Sequence, residues 1–432
     1  MPAGAAPAVY NPTRMDKIRI QGPSRLQGRV DISGAKNAVL PEMAALLLLE
    51  GPAVLRNVPA VRDVDTMARV LRQLGLREVR LEEGTLRTDG GEPDNPEAPY
   101  ALVKTMRASI LVLGPLLSRL GKARVSLPGG CAIGARPIDL HIEALRRMGA
   151  TIRIDHGYVE ASCPRLKGAE FRFDTPTVTG TENIMMAAAL ADGRTILRNC
   201  ALEPEVADLQ SFLNACGARI AGAGGDTITI DGVASLKGAE HRVIPDRIET
   251  GTFVMAAAIT GGDVRVEGCE PAHLTALLDL LRECGVGLEV GPGLIRVGPG
   301  GPLRAANVTT LPYPAFPTDL QAQYMALAAR AEGVSIVTET VFENRFMHVG
   351  ELRRMGARIV VDGQTAIVAG PSPFSGAPVM ASDLRASACL ILAAVAAEGE
   401  TIIDRAYHID RGYEKVEKKF QALGARIERL RS

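Results

Sequence analysis

The sequence contains no tryptophan, and aromatic residues make up only 4% of its 432 residues. A hydrophobic core must therefore be built mainly from Ala, Leu, Ile, Val and Met. Basic and acidic residues balance at 49 each, and no basic stripe stands out along the chain. This balance argues against a nucleic-acid-binding protein, so an anionic ligand would have to be held by local clusters of Arg and Lys.

Motifs for metals, nucleotide phosphates and disulfides are also missing. The seven cysteines are scattered without a CxxC pair, which argues against a disulfide framework or a zinc site and favours a reducing compartment, the cytoplasm. No pair of histidines has metal-ligand spacing, and there is no GxxxxGK[ST] phosphate loop. We therefore expect no metal and no organic cofactor.

Membrane insertion is not predicted either. The longest apolar runs, such as Met43–Leu49 and Ala388–Ala397, are far shorter than the roughly 20 residues that a spanning helix needs. The first 14 residues are rich in Ala and Pro and do not resemble a signal peptide. We expect a protein that binds small molecules, without nucleic-acid or membrane partners, and that is a monomer.

What the sequence does contain is a repeat of about 70 residues. An apolar residue followed by glycine, typical of a helix end, recurs at Gly75, Gly149, Gly217, Gly285, Gly356 and Gly424. A glycine that opens a β-rich run recurs with the same period at Gly51, Gly121, Gly193, Gly262, Gly333 and Gly399. The two markers predict six units, each with the order βαβαββ, and thus an α/β fold with mixed sheets packed on helices.

A chain of this length is expected to form two domains, each with three of the six units. The chain does not have to divide at its middle, and a second crossing between domains is predicted near residues 241–245. We therefore expect residues 15–35 and 245–432 to form the first domain and residues 36–244 the second. Residues 1–14 form an extension outside both.

The first helix of each unit begins in a polar segment. A helix N-terminus offers free N–H groups and partial positive charge, which favour anions. Lys36, Arg107 and Arg385 lie at three of these starts. A single cation there could be an ordinary solvated residue, but three at equivalent positions favour a shared site for an anionic ligand.

The most unusual segment is the glycine-rich loop around Cys131, which ends at Arg136. Glycines allow such a loop to move, and a nearby cation favours the thiolate form of a cysteine. We interpret the segment as a lid that carries a reactive thiol, whereas the other six cysteines are expected to be buried small side chains.

Three further candidates are less specific. Asp319 follows Phe316-Pro317-Thr318 and could be a general base or an ordinary helix cap. Arg345 and Arg411 lie between regular elements, and each alone could be a salt-bridge partner.

Six segments together resemble the UDP-N-acetylglucosamine 1-carboxyvinyltransferase family, and the resemblance extends from about Met15 to the C-terminus. They are Ser33–Asn37, the Cys131 loop with Arg136–Leu140, Pro245–Gly251, Phe316–Asp319, Glu343–Phe346 and Asp383–Ser387. The resemblance implies a two-domain inverse α/β barrel with helix N-termini facing a cleft. It also implies transfer of the enolpyruvyl group of phosphoenolpyruvate to the 3′-hydroxyl of UDP-N-acetylglucosamine, the first committed step of peptidoglycan synthesis.

The same resemblance implies roles for individual residues. Cys131 would donate a proton, form a covalent adduct and react with fosfomycin, and Asp319 would accept the proton of the sugar hydroxyl, with Lys36 and Arg411 completing the catalytic set. The residues implied to bind phosphoenolpyruvate are Lys36, Asn37, Arg136, Arg345, Arg385 and Arg411. Those implied to bind UDP-N-acetylglucosamine are Arg107, Arg136, Pro137, Ile138, Asp139, Leu140, Val178, Asp319 and Val341.

Two alternatives remain at this point. The sister family of 3-phosphoshikimate 1-carboxyvinyltransferases shares the repeats but lacks the Gly-Gly-Cys lid. A catalytically silent protein that only holds a nucleotide sugar is the other alternative, and the joint presence of Lys36, Cys131, Asp319 and Arg411 argues against it.

Overall fold

The computed structural model describes residues 16–104, 106–127 and 138–431, and within these ranges the chain forms 26 strands and 13 α-helices. The strands are β1 (Lys17–Gly22), β2 (Gln27–Asp31), β3 (Leu49–Glu50), β4 (Ala53–Arg56), β5 (Arg80–Glu82), β6 (Thr85–Thr88), β7 (Glu97–Ala98), β8 (Lys122–Ser126), β9 (Thr151–Asp155), β10 (Tyr158–Ser162), β11 (Glu170–Arg172), β12 (Arg194–Arg198), β13 (Arg219–Ala221), β14 (Thr227–Asp231), β15 (Leu236–Lys237), β16 (Glu240–Arg242), β17 (Asp263–Glu267), β18 (Gly287–Gly291), β19 (Leu294–Gly298), β20 (Val308–Thr310), β21 (Gly333–Glu339), β22 (Arg358–Asp362), β23 (Thr365–Gly370), β24 (Pro378–Met380), β25 (Gly399–Asp404) and β26 (Arg426–Leu430).

The α-helices are α1 (Lys36–Ala45), α2 (Arg62–Gln73), α3 (Tyr100–Val103), α4 (Leu113–Leu120), α5 (Asp139–Arg147), α6 (Val178–Ala189), α7 (Pro204–Ala215), α8 (Arg247–Ile259), α9 (Thr275–Glu283), α10 (Gln321–Ala328), α11 (Val349–Arg354), α12 (Leu384–Ala396) and α13 (Val416–Ala422). Short 3₁₀ segments lie at Leu46–Leu48, Arg107–Val112, Pro271–Leu274, Thr318–Leu320 and Ala406–Arg411.

Six four-stranded sheets of one design confirm the predicted repeat. In the unit that contains α6 and α7, the strand order is β11-β12-β14-β13, in which β11 and β12 are parallel and the other pairs are antiparallel. Along the chain this unit reads βαβαββ, as the sequence predicts. The other five sheets have the orders β16-β4-β6-β5, β7-β8-β10-β9, β18-β19-β17-β2, β20-β21-β23-β22 and β24-β25-β1-β26.

The marker glycines lie where the period predicts them, with one exception. The six that follow helices all have a left-handed backbone, with φ between 83° at Gly285 and 103° at Gly75, a conformation that costs glycine little. In the second set, the left-handed residue of the fourth unit is Gly261 rather than Gly262, so that turn is displaced by one residue.

Three of the sheets are completed by strands from distant parts of the chain. Strand β2, near the start of the described residues, lies parallel to β17. Strand β16 lies parallel to β4, although about 185 residues separate them. Strand β1 lies between β25 and β26 and is antiparallel to both. The three-unit group within residues 35–243 is thus completed by β16, and the group formed by the rest of the chain is completed by β1 and β2.

Six helices are buried at the centre of the molecule, three in each group. Helices α1, α4 and α6 pack in one group, and α8, α10 and α12 pack in the other. All 13 residues of α8 are buried, and its second half, Phe253–Ile259, is apolar around its whole circumference. Close packing requires small residues here, since a Cβ atom on Gly251 would lie 2.7 Å from Leu320 Cδ1.

Two hydrophobic cores accompany the two groups. One is formed within residues 35–243, and the other by residues 18–32 together with 248–427. The chain passes between them twice at one place, where Ala35 N–H donates to the Ile244 carbonyl at 2.7 Å and Asp246 N–H donates to the Ser33 carbonyl at 2.9 Å. We propose that this paired crossing marks the two domain boundaries. None of the helices in the described residues is long and apolar enough to span a membrane.

Candidate active site

The starts of the buried helices carry the cations that the sequence singles out. Lys36 is the first residue of α1, and Arg385 lies in the first turn of α12 behind the cap Asp383. Arg107 differs from the expectation, because it opens a 3₁₀ segment and α4 begins only at Leu113. Its surroundings therefore differ from those of an α-helix N-terminus.

Asp319 lies between two buried arginines. Arg345 Nη2 donates to Asp319 Oδ1 at 2.6 Å, and Arg385 Nη2 donates to Oδ2 at 2.5 Å. Burial alone would raise the pKa of the carboxyl, but the charges and hydrogen bonds of Arg385 and Arg345 outweigh it and hold the pKa well below its usual value. The carboxylate is therefore bound by side chains, and it caps neither the 3₁₀ segment nor α10, so the helix-cap interpretation is wrong.

A buried carboxylate supports Arg345 from the other side. Arg345 Nη1 donates to Thr318 Oγ1 at 2.8 Å, and the Thr318 hydroxyl donates to Glu339 Oε2 at 2.8 Å. Glu339 also accepts from the backbone N–H of Val341 at 2.9 Å. This network fixes the position of the arginine and of the loop after β21 that carries Val341.

Arg411 and Lys36 share a second carboxylate, Asp63, in the first turn of α2. Arg411 makes a two-pronged contact with it, at 3.0 Å from Nε and 3.3 Å from Nη2, and Lys36 Nζ lies 3.5 Å from the same carboxylate. Burial lowers the pKa of Lys36, and the charges of Arg385 and Arg411 lower it further, while Asp63 opposes this shift. Asp63 therefore holds two cations whose mutual repulsion would otherwise be uncompensated.

The two ion-pair groups face each other. Lys36 lies within electrostatic range of Arg385, Arg411 and Asp319, so residues from both three-unit groups meet in one cleft. The cations outnumber the carboxylates, since Lys36, Arg345, Arg385 and Arg411 face Asp63, Asp319 and, behind Arg345, Glu339, which leaves a net positive charge. Such a cleft favours a small ligand with several negative charges.

A further buried pair joins the groups beside this cleft. Arg247, the first residue of α8, donates to Glu205 Oε1 of α7 at 2.9 Å, and both side chains are buried. The Tyr313 ring lies 5.6 Å from the Arg247 guanidinium, and Arg247 is within electrostatic range of Asp319.

Asn37, expected to bind phosphoenolpyruvate, follows Lys36 in α1. Of the residues expected to bind the nucleotide sugar, some lie at the starts of other helices, and Asp139 opens α5 with an exposed carboxylate. Val178 opens α6 behind Thr177, whose hydroxyl accepts from Gly180 N–H at 3.3 Å. Ile138, Leu140 and Arg107 are half-buried, and Val341 is exposed. Cys131, Arg136 and Pro137 lie outside the described residues.

Sequence reasoning missed Asp63 and Glu205, which hold cations across the cleft. A signal for Asp63 was present, because helical spacing places it on the apolar face of α2 with Met67 and Val70. An acid on an apolar face needs a partner. For Glu205 the partner is an arginine about 40 residues further along the chain, and the local pattern does not indicate it.

This fold and site have relatives. The sequence model of the family described as EPSP synthase (3-phosphoshikimate 1-carboxyvinyltransferase) matches residues 20–420. Because the match spans nearly the whole chain, the protein belongs to this family of enolpyruvyl-transferring enzymes, and the predicted fold class is confirmed.

Relatives with high sequence identity assign the chain to one branch of this family. A protein of Anaeromyxobacter dehalogenans (strain 2CP-1 / ATCC BAA-258) is 60% identical, over 96% of this chain and 100% of its own length. A protein of Koribacter versatilis (strain Ellin345) is 57% identical, over 96% and 97%. Both are named UDP-N-acetylglucosamine 1-carboxyvinyltransferase, and the chain belongs to that branch of the family.

Solved structures agree with this fold. The enolpyruvyl transferase NikO from Streptomyces tendae has a TM-score of 0.87 at 28% identity, over 97% of this chain and 100% of its own. An EPSP synthase from Acinetobacter baumannii has a TM-score of 0.73 at 19% identity, over 97% and 100%, and this second likeness concerns the fold alone.

Proposed function

We propose that the protein transfers the enolpyruvyl group of phosphoenolpyruvate to the 3′-hydroxyl of UDP-N-acetylglucosamine and releases phosphate, as the first committed step of peptidoglycan synthesis in the cytoplasm. The observation that carries this proposal is the position of Asp319, a carboxylate between two arginines and opposite Lys36 and Arg411. A proton acceptor and an anion-binding cleft are what this reaction needs in one place. The names of the relatives support the choice of substrate.

The charges of the cleft match phosphoenolpyruvate, which carries a phosphate and a carboxylate. In this proposal Lys36 and Arg411 bind the phosphate together with Arg136 and Asn37. Arg345 and Arg385 bind the carboxylate, and their planar guanidinium groups suit a two-pronged contact with it. Lys36 begins α1, so the free N–H groups of that helix add to the attraction.

The carboxylate of the substrate also has a second effect. In the free protein, Arg345 and Arg385 are hydrogen-bonded to Asp319 and make it a weak base by lowering its pKa. When the substrate carboxylate takes over these two arginines, Asp319 loses the contacts that lower its pKa. Binding of phosphoenolpyruvate therefore prepares Asp319 to accept the proton of the sugar hydroxyl.

The chemistry then follows as an addition and an elimination. Cys131 gives a proton to the methylene carbon of phosphoenolpyruvate, which makes C2 electrophilic. The 3′-oxygen of the sugar bonds to C2 as Asp319 takes the hydroxyl proton, and a tetrahedral ketal results. The Cys131 thiolate takes a proton back from the methyl group and protonated Asp319 gives its proton to the departing phosphate. Loss of phosphate from C2 then restores the double bond and leaves the enol ether. The cations that bind phosphate stabilise the leaving group.

A phosphate-release assay tests this proposal. Phosphoenolpyruvate is supplied with UDP-N-acetylglucosamine or, in a parallel reaction, with shikimate 3-phosphate, the acceptor of the sister enzymes. We expect phosphate release only in the reaction in which the acceptor is the nucleotide sugar. Equal turnover with shikimate 3-phosphate would show that the chain has the sister activity, and tight nucleotide-sugar binding without phosphate release would show a silent binding protein.

A further inference from the structure

Away from the cleft, three side chains from distant parts of the sequence meet in the half formed by residues 35–243. They are Glu42 on α1, Asp208 on α7 and His241 on β16. His241 Nε2 lies 2.9 Å from Asp208 Oδ1 and 3.3 Å from Glu42 Oε1. One ligand atom from each residue lies within 4.8 Å of the other two. Within the part of the chain that the structure describes, this is the one group of three such residues with this geometry.

Glu42 is the unusual member of this group. Its side chain is fully buried, and neither of its carboxylate oxygens has a hydrogen-bond partner. The single Nε2–H of His241 is directed to Asp208, so it does not satisfy Glu42 as well. His241 is the cation within reach of Glu42, but it is shared with Asp208, so one imidazole ring faces two carboxylates. Burying a carboxylate without full compensation is costly, and the two carboxylates together therefore need a further cation.

The surroundings increase this need for a cation. Glu182 on α6 is also buried and has an oxygen without a partner, and it lies within electrostatic range of Glu42 and Glu205. Arg247 is paired with Glu205. The interior around Glu42 thus contains more carboxylates than cations.

We propose that Glu42, Asp208 and His241 bind a divalent metal ion such as Zn²⁺ or Mn²⁺. Two carboxylates and a neutral imidazole balance the charge of such an ion, and this mixture of oxygen and nitrogen ligands suits these metals better than Mg²⁺ or Ca²⁺. Ligand atoms about 2.1 Å from a tetrahedral metal lie roughly 3.4 Å apart, close to the separations from His241 Nε2. Because its three ligands are far apart in the sequence, the site escapes a search for local metal motifs.

The group also has an outer contact of the kind that orients metal ligands. The second oxygen of Asp208 accepts from the Ile244 backbone N–H at 3.1 Å, which fixes the carboxylate and leaves Oδ1 directed at the site. The ring of Phe212 lies 5.4 Å from the His241 ring and restricts its rotation.

The site is placed to stabilise one half of the molecule. Its ligands join α1, which begins at Lys36, to α7 and to β16, the strand that completes the group of residues 35–243. A metal there would hold this closing strand in place just before the chain crosses at Ile244. Its role is structural, and it is independent of the proposed reaction.

Elemental analysis of the full-length protein tests the proposal. The protein is purified without chelators or an affinity tag of histidines, dialysed, and measured before and after loading with Zn²⁺ or Mn²⁺. We expect one equivalent of metal per chain, a higher melting temperature with metal, and loss of both after treatment with a chelator. Loading with Co²⁺ should produce the visible absorption bands of a site with nitrogen and oxygen ligands.

Variants distinguish a specific metal site from non-specific binding of metal ions near buried acids. Glu42→Gln and His241→Phe should each lose the bound metal and the Co²⁺ bands. Glu182→Gln removes a neighbouring buried acid that is not a ligand, and it should keep one equivalent. A wild-type protein that holds no metal after loading, or whose melting temperature is unaffected by Zn²⁺ and Mn²⁺, overturns the proposal even if no variant can be purified.

Discussion

Arg411 and Asp63 form a two-pronged ion pair that joins the two halves of the molecule, with Asp63 on α2 and Arg411 at the end of the 3₁₀ segment before α13. The ammonium group of Lys36 lies 3.5 Å from the same carboxylate. An anion that binds Lys36 and Arg411 must either displace Asp63 from these two cations or bind to them while Asp63 stays in place. Ligand binding is thereby coupled to the contact between the halves.

Asp63 is accordingly predicted to position the cations that bind phosphate. Hydrogen bonds to charged groups are worth about 1.5–3 kcal/mol, so Asp63→Asn should lower kcat/KM for phosphoenolpyruvate by roughly 10- to 100-fold. Asp65→Asn is the matched control, because Asp65 lies in the same helical turn but is exposed. Steady-state kinetics of both variants check this prediction. Equal losses of kcat/KM in the two variants would mean that Asp63 contributes only to the stability of helix α2.

Asp319→Asn tests the proposed base. The turnover rate should fall by roughly 10²–10⁴, whereas binding of UDP-N-acetylglucosamine should change by only a few fold. Asp263→Asn serves as the control, because Asp263 also accepts two hydrogen bonds from an arginine, Arg296, but at an outer sheet. An Asp319→Asn variant with normal turnover would leave Asp319 only a structural role.

Binding of phosphoenolpyruvate is expected to cause proton uptake. Burial lowers the pKa of Lys36 in the free protein, and this pKa should rise when phosphate binds beside it, so Lys36 takes up protons on binding. Calorimetry in buffers of different ionisation enthalpy measures the proton number. A pH of about 8 is suitable, because the second ionisation of a phosphate monoester, with a pKa of about 6, is then complete.

The Cys131→Ser variant should be used in these titrations so that no covalent adduct forms. Lys36→Arg is the control, because a guanidinium stays protonated in either state and its uptake should be smaller. Net proton release at this pH contradicts the proposed binding of phosphate beside Lys36.

The buried pair of Arg247 and Glu205 should contribute to stability only as a pair. Glu205→Gln leaves a buried arginine with a weaker partner and should cost about 3–5 kcal/mol in the free energy of unfolding. The double variant with Arg247→Met should recover part of this loss, because no unpaired charge remains. Glu170→Gln breaks the exposed pair with Arg198 and should cost less than about 1 kcal/mol. Denaturant unfolding measures all of these, and additive effects in the double variant would show that the pair is not coupled.

Fosfomycin is predicted to modify Cys131 and no other cysteine. The other six are buried, and burial raises the pKa of Cys200 and Cys216 to about 12 and that of Cys269 to about 11, so these three are poor nucleophiles. Intact mass should show one adduct per chain, formed faster with UDP-N-acetylglucosamine present, and peptide mapping should locate it. Cys131→Asp should keep some activity and resist the inhibitor, because a carboxyl can donate a proton but does not readily open the epoxide. An adduct on a buried cysteine would contradict the assignment.

The repeat was predictable because local signals carry it. A helix end that requires a left-handed residue selects glycine at each unit, and six such glycines with one period suffice to count the units. The pairing of β16 with β4 and of β1 with β25 was not predictable. Nothing in the local pattern of Glu240–Arg242 or Lys17–Gly22 specifies a partner strand hundreds of residues away.

The residues of the candidate site also fall into those that the sequence identifies and those that it does not. Cations at helix starts, such as Lys36 and Arg385, stand out because they oppose the helix dipole. Their pairing with counter-ions is not visible, since Asp63 is marked only by its position on the apolar face of α2 and Asp319 only as a candidate base. Only the packing of the two halves brings each carboxylate to its cations.

The position of β1 between β25 and β26 has a consequence for synthesis on the ribosome. The group of residues 35–243 can be completed as soon as β16 emerges, but β1 is made several hundred residues before either of its neighbours. At the ~5–20 residues per second of translation, β1 waits on the order of tens of seconds without a partner. An alternating strand left unpaired for this time is a natural ligand for chaperones that bind nascent chains, and the second group cannot be completed before β25 and β26 have emerged.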